Sequence, residues 1–220
     1  MRLPRKKGGH IMDTKAMYKL SYGLFVLTVK AGDRENGCIT NTAIQVASDP
    51  NQISFAINKA NYTHDLVMEA GKANISVISE EATFDLFKRF GFQSGRDVNK
   101  FEGFTGFAYA DNGIPYITEG TNAYFSIDVT QTLDLGSHTL FIGVPTEMVV
   151  LSGAPSATYA YYQDNIKPKP AAAPAENKLP EGVHKWRCKI CGYEYVGPVL
   201  PDDFICPICK HPASDFEMIE

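Results

Sequence analysis

The chain has 220 residues, 44% hydrophobic and 11% aromatic, enough for one medium core and a second smaller one. Its 21 basic and 25 acidic side chains leave a net charge of −4, and no stretch supplies the basic face that a nucleic-acid binder needs. No apolar run is long enough for a membrane-spanning helix, so neither nucleic acid nor membrane is expected as a partner.

Residues 1–11 are basic and glycine-containing but lack the apolar stretch of a signal peptide. They are expected to be an appended leader, with Met12 as the natural start and a cytoplasmic location. Residues 12–166 hold 10 basic and 17 acidic side chains. Leu24–Val29 reads as a compact strand, and Asp33-Arg-Glu-Asn-Gly37 as a hairpin turn ending in Asn-Gly. Cys38–Val46 alternates small, polar and apolar residues as one strand would, and Gln52–Ile57 and Asn74–Ile78 are further strands. Thr63 is placed to cap a helix over His64–Ala70, with Asp65 in its first turn and Gly71 ending it. Thr83–Phe90 has apolar residues at 84, 86, 87 and 90, a helical stripe. Ala123–Leu133 and His138–Leu151 form a long hairpin around Leu135-Gly136-Ser137. The fold class expected is mainly β, a closed or nearly closed barrel with a few short helices.

Four prolines interleaved with alanine and lysine across 167–182 exclude a helix interior or a sheet ladder. An extended spacer is expected, reaching about 45 Å at about 3.1 Å per residue. Beyond it, residues 183–220 contain Cys188-Lys-Ile-Cys191 and Cys206-Pro-Ile-Cys209, with 14 residues between the pairs. Two Cys-x-x-Cys turns facing each other complete a tetrahedral sulfur cage. Such a cage suits zinc and iron alike.

No Gly-x-Gly-x-x-Gly follows a strand in the large segment, and no nucleophile with its base is recognisable. Two polar clusters stand out instead. Thr40-Asn41-Thr42-Ala43 has side chains small enough for a flat ring to approach the backbone. Asn58-Lys59-Ala-Asn-Tyr62-Thr63-His64 leads into a helix N-terminus and offers amide, hydroxyl and ammonium donors to an anion such as phosphate. Cys38 reads as a small strand residue rather than a redox thiol. The Phe90–Phe101 loop carries Arg96 and Lys100 among aromatics, a candidate for holding NAD(P)H or a second subunit.

Cys191-Gly192-Tyr193-x-Tyr195, Pro201-Asp-Asp-Phe204-x-Cys206-Pro207-x-Cys209 and Asp215-Phe216-Glu217 resemble the rubredoxin family. That resemblance implies one iron held by Cys188, Cys191, Cys206 and Cys209, around an aromatic core of Trp186, Tyr193, Tyr195, Phe204 and Phe216. The stretch between the pairs is about half the usual rubredoxin length, as in the rubredoxin-like modules of rubrerythrins. Lys210 stands where a glycine commonly follows the last cysteine.

The large segment resembles the flavin reductase-like FMN-binding family. The pieces in order are Tyr22-Gly23 to Thr28, Gly37-Cys-Ile-Thr40-Asn-Thr42, Ser48-Asp-Pro50, Asn58-Lys59 to Thr63-His64, and Leu135-Gly-Ser-His138-Thr to Gly143. The resemblance implies a split β-barrel and a homodimer. It places the isoalloxazine edge at Thr40, Asn41, Thr42 and Ala43, and the phosphate and ribityl at Asn58, Lys59, Tyr62 and Thr63. His138 would lie near the reactive face of the flavin or the nicotinamide. The order of parts is similar to the high-molecular-weight rubredoxin family. It implies an NAD(P)H-dependent oxidoreductase passing electrons through FMN to iron, and on to a flavodiiron protein. An FMN/iron carrier not reduced by NAD(P)H, and a flavin-binding module with a structural zinc ribbon, are the alternatives.

Overall fold

A computed structural model describes residues 14–168, 182–189, 192–207 and 211–219. Strand β1, Phe25–Ala31, is apolar almost throughout because both its faces are covered. Leu27 and Val29 point into one core cluster, while Leu24 and Val26 belong to another, the period-two alternation of a strand.

Strand β2, Arg34–Thr40, pairs antiparallel with β1, and Ala31 faces Arg34. The hairpin turn is therefore Gly32-Asp33, with Gly32 at φ +58°, not the Asn36-Gly37 expected from sequence. Asn36 is instead buried inside β2, where its Nδ2 donates to Thr63 Oγ1 at 3.0 Å. Gly37 is needed for close packing: a Cβ there would stand 3.0 Å from the Phe90 ring and 3.1 Å from the Leu27 carbonyl oxygen.

The single strand expected over Cys38–Val46 is two. After β2, residues 41–43 cross to β3, Ile44–Ser48, which pairs with β4, Asn51–Asn58. With β5 (Lys72–Ile78), β8 (Thr121–Asp134) and β9 (His138–Val150), these strands form one sheet of order β2-β1-β5-β8-β9-β4-β3. Its two edge strands are consecutive in the chain. A flat seven-stranded sheet would hold those edges about 29 Å apart at about 4.8 Å per strand. The link from Thr40 to Ile44 spans about 14 Å at most. The sheet must therefore curl until its edges approach, which makes the barrel expected from sequence.

The seam is closed by side chains. Ala56 N donates to Thr42 Oγ1 at 2.9 Å, and the Ala56 carbonyl accepts from Thr42 Oγ1 at 3.1 Å and Thr40 Oγ1 at 3.3 Å. The two hydroxyls are themselves 2.9 Å apart. Thr42→Val keeps the shape but leaves both polar groups of the Ala56 peptide short of a partner at a half-buried place. We expect a loss of about 1–3 kcal/mol, read as a lower urea midpoint with an unchanged slope.

Helix α1, Tyr62–Ala70, begins two residues before the expected start, with Asn61 as N-cap and Gly71 closing it at φ +63°. Thr63 is not the cap. It is fully buried, its hydroxyl accepts from Asn36, and Leu66 and Val67 of the same helix join the barrel core. Helix α2, Phe84–Gly91, follows its expected stripe and buries Leu86, Phe87 and Phe90. These pack with Leu24, Val26, Ile117 and Tyr162 on the outer side of β1. A small hairpin, β6 (Phe107–Tyr109) and β7 (Pro115–Ile117), was not foreseen because three-residue strands carry no legible alternation. A helical turn, Tyr159–Tyr161, runs into a π-helical stretch, Tyr162–Ile166.

The second unit is a three-stranded sheet of order β11-β10-β12, from β10 (His184–Cys188), β11 (Glu194–Gly197) and β12 (Phe216–Met218). Trp186, Tyr193, Tyr195 and Phe204 pack on buried Cys188, Cys206 and Phe216, the aromatic set expected. Among the described residues, no helix is long and apolar enough to cross a membrane.

Candidate functional site

Both polar clusters singled out in the sequence gather at one end of β4. Thr40 and Thr42 reach Ala56, and two residues further on Asn58 pairs with His138 at the start of β9. The turn after Asn58 is tightly tied: Ala60 N donates to Asn58 Oδ1 at 2.9 Å, Asn61 N to the Asn58 carbonyl at 2.9 Å, and Lys59 N to the Ser137 carbonyl at 3.0 Å. Asn58 is exposed, and Asn41, Thr42, Ala43, Lys59, Tyr62 and His138 are half-buried. They form an accessible rim where a strand end, a helix start and a hairpin tip meet.

Three candidates sit differently from expectation. The hydroxyls of Thr40 and Thr42 are used by the seam, which leaves the backbone of 41–43 and the methyl of Ala43 to meet a ring. Thr63 faces the core, so only its backbone N–H, one of the first-turn donors that a helix leaves without an intrahelical partner, belongs to the rim. Lys59 Nζ lies 2.6 Å from Asp134 Oδ1. The Lys59 ammonium, with the Gly136 N–H, holds the Asp134 carboxyl below the usual carboxylate range. His138 Nδ1 is 2.9 Å from Ser137 Oγ, which orients the ring at the hairpin tip.

The rim also contains Arg96, expected from sequence to hold NAD(P)H or a second subunit, and His64, the last residue of the second polar cluster. Arg96 Nη2 donates to Asp65 Oδ2 at 2.6 Å, and its guanidinium lies 5.0 Å from the centre of the Tyr62 ring. Arg96, followed by His64, holds the Asp65 carboxyl low. His64 Nε2 is 2.9 Å from Thr139 Oγ1, and its Nδ1 is 3.2 Å from Asp65 Oδ1. Both follow from tertiary placement: the loop after α2 folds back over the start of α1, while its second cation, Lys100, turns into the core. An ammonium, a guanidinium, an amide and helix-start N–H groups make a donor set suited to a phosphate. Beside Ala43, a cavity of about 330 Å³ is lined by Phe25, Ile44, Ile75, Phe125 and Met148. An apolar wall reached from Ala43 of the first cluster, and a phosphate-type donor set around the second, are the two kinds of surface that a flavin mononucleotide needs.

At the other unit, Cys188 is 1% exposed and Cys206 is 0% exposed. Each opens a turn closed in the same way: Cys188 N donates to the Tyr193 carbonyl at 2.8 Å, and Cys206 N to the His211 carbonyl at 2.8 Å. Gly192, the residue after Cys191, adopts φ +80°, a conformation that glycine takes without strain. Cys191, Cys209 and Lys210 lie outside the described residues. Two matching turns, each burying its first sulfur against aromatic rings, fit a four-thiolate metal site.

Residues 17–169 match the flavin reductase like domain family, and residues 186–217 the rubrerythrin, rubredoxin-like domain family. A high molecular weight rubredoxin from Moorella thermoacetica is 38% identical, over 94% of this chain and 100% of its own length. A ferric-chelate reductase (NAD(P)H) from Archaeoglobus fulgidus is also 38% identical, over 69% of this chain and 89% of its own. Among solved structures, an FMN-binding protein from Thermus thermophilus shares the fold with a TM-score of 0.58 at 24% identity, covering 70% of this chain and 82% of that one.

Proposed function

We propose, given that this chain belongs to the flavin reductase like domain family and is an oxidoreductase, that it carries electrons from NAD(P)H through FMN to iron and then to an acceptor protein. The iron would be held by Cys188, Cys191, Cys206 and Cys209. The observation that carries this reading is the joining of a flavin reductase-like segment and a rubredoxin-like segment in one chain. When bound, FMN supplies two-electron acceptance and single-electron release, and a four-thiolate iron takes one electron at a time.

The residues of the chain bind and orient. Asn58, Lys59, Tyr62 and the first-turn N–H groups of α1 would hold the phosphate and ribityl, with Arg96 as a second cation beside them. The backbone of Thr40, Asn41, Thr42 and Ala43 would meet the ring edge. His138, fixed by Ser137, would stand where the nicotinamide approaches. The units would run over 12–166 and 183–220, with 167–182 as tether. A homodimer is supported by exposed Ile44, Val46, Met148 and Val150, an apolar edge of the kind that a partner covers. The acceptor would be a flavodiiron protein, reached in the cytoplasm, where thiols stay reduced.

Anaerobic stopped-flow mixing with NADH tests the reading. The flavin absorbance should bleach first and the iron–thiolate absorbance afterwards, both at catalytic rates. If neither centre bleaches with NADH or NADPH, the chain is a carrier reduced by another protein. A colourless four-cysteine site containing zinc would remove the iron step altogether.

A further inference from the structure

We infer that the four-cysteine unit docks on the barrel of its own subunit, with Phe92 as the anchoring side chain, and that electrons leave the barrel there. This rests on the proposed passage of electrons from flavin to iron. Phe92 caps the C-terminus of α2 with its N–H bonded to the Lys88 carbonyl at 3.3 Å. Its ring packs 5.7 Å from Phe84 within the outer core of the barrel. The same side chain packs against the cluster of Cys188, Cys206 and Phe216. It is thus common to the two cores.

A second contact lies beside the first. Lys167 Nζ is 3.8 Å from where a Cβ on Gly192 would stand. Gly192 follows Cys191, and a cage of four thiolates around iron is anionic, so an ammonium there favours the docked arrangement. The surfaces are joined internally as well. A cavity of about 240 Å³ is lined by Asn61, Cys38, Lys100, Phe92, Gln163 and Lys167. It runs from the N-cap of α1, at the candidate phosphate rim, to the two residues that touch the metal unit. With both groups bound, reduced FMN would give one electron to ferric iron; the acceptor protein would reoxidise the ferrous iron before the second electron follows, and the flavin would release its protons to solvent.

The test uses the full holo chain with labelled phenylalanine and lysine. Ferric iron should broaden the NMR signals of Phe92 and Lys167, and the zinc-substituted protein should show them sharp. Phe92→Lys should abolish the broadening of Lys167 and slow iron bleaching by about tenfold or more, while flavin bleaching by NADH keeps its rate. Phe92→Tyr should restore both. Lys167→Glu, which removes no core packing, should weaken the broadening even if Phe92→Lys proves unstable. Sharp Phe92 and Lys167 signals in the iron protein, or wild-type iron bleaching in Phe92→Lys, would overturn the docking route. Failure of NADH to bleach the flavin would instead strike the proposed function, and the broadening pattern would still report on the dock.

Discussion

Cys206→Ser is expected to strip iron from the chain and unfold residues 182–219 while the barrel keeps its own melting transition. Cys206 is wholly buried among aromatic rings, and the described residues of the unit around it form three short strands. A sheet that small cannot offset the entropy of ordering its loops without help. Metal binding supplies that help: structural zinc sites in small peptides contribute about 10–16 kcal/mol. Serine offers a poorer and less acidic ligand, and the cage loses one of its corners. Iron content and the near-ultraviolet circular dichroism of Trp186, the sole tryptophan, should fall together. Flavin content should stay the same. If the variant retains full iron and a folded small unit, Cys206 is not a ligand.

The second large effect is a pH dependence of stability centred on Lys100. This side chain is 2% exposed, and its ammonium donates to the Gly37 carbonyl at 2.8 Å and the Phe90 carbonyl at 3.1 Å. Burial pushes its pKa down to about 8 from an ordinary 10.5. Because the folded value lies below the unfolded one, stability from this group is fully present only above 10.5 and is lost as pH falls through 8. Between those limits the gain amounts to about 3 kcal/mol. Lys100→Met removes the titration. At neutral pH it exchanges relief of a buried charge against two carbonyls left without their donor, each worth about 1–3 kcal/mol. The informative quantity is the difference in unfolding free energy between wild type and variant from pH 7 to 10.5, which should swing toward wild type as pH rises. Burial raises the Cys38 thiol, and the Lys100 charge pulls it back down in wild type alone, so the pair is compared in a Cys38→Ala background, which keeps that thiol out of the difference. A difference that does not change with pH would mean that Lys100 is not the source.

Both large effects involve residues that the sequence exposes unequally. The cysteine pairs and their aromatic neighbours were legible because metal chemistry fixes residue type and spacing together. The long strands and the α2 stripe were legible because their periodicity survives over eight or more residues. The Asn36-Gly37 turn was misplaced because local turn preference was overridden by Asn36 bonding to Thr63 and by Phe90 packing on Gly37. Thr63 was misassigned as a cap for the same tertiary reason. The break at 41–43 was missed because a strand that leaves one sheet edge for the other keeps its local pattern. Arg96 was visible in its loop, but only the fold could bring it against Tyr62 and Asp65.

The closing of the barrel by consecutive strands has a consequence for how the molecule assembles and breathes. The loop that joins the edges is very short, so bringing them together adds little loop-closure entropy once β4 has found β9 and β1 has found β5. Those distant pairings, not the seam, set the folding rate. In the native state the reverse holds. Elsewhere backbone ladders join the strands, with register shifts in β3–β4, β5–β8 and β8–β9, whereas the seam is stitched at Ala56 by two threonine hydroxyls, each contributing about 1 kcal/mol. The Ala56 amide should therefore exchange its hydrogen through a local opening, sooner than its neighbours in β4. That weakest line in the barrel wall runs directly beside the rim where the flavin would enter.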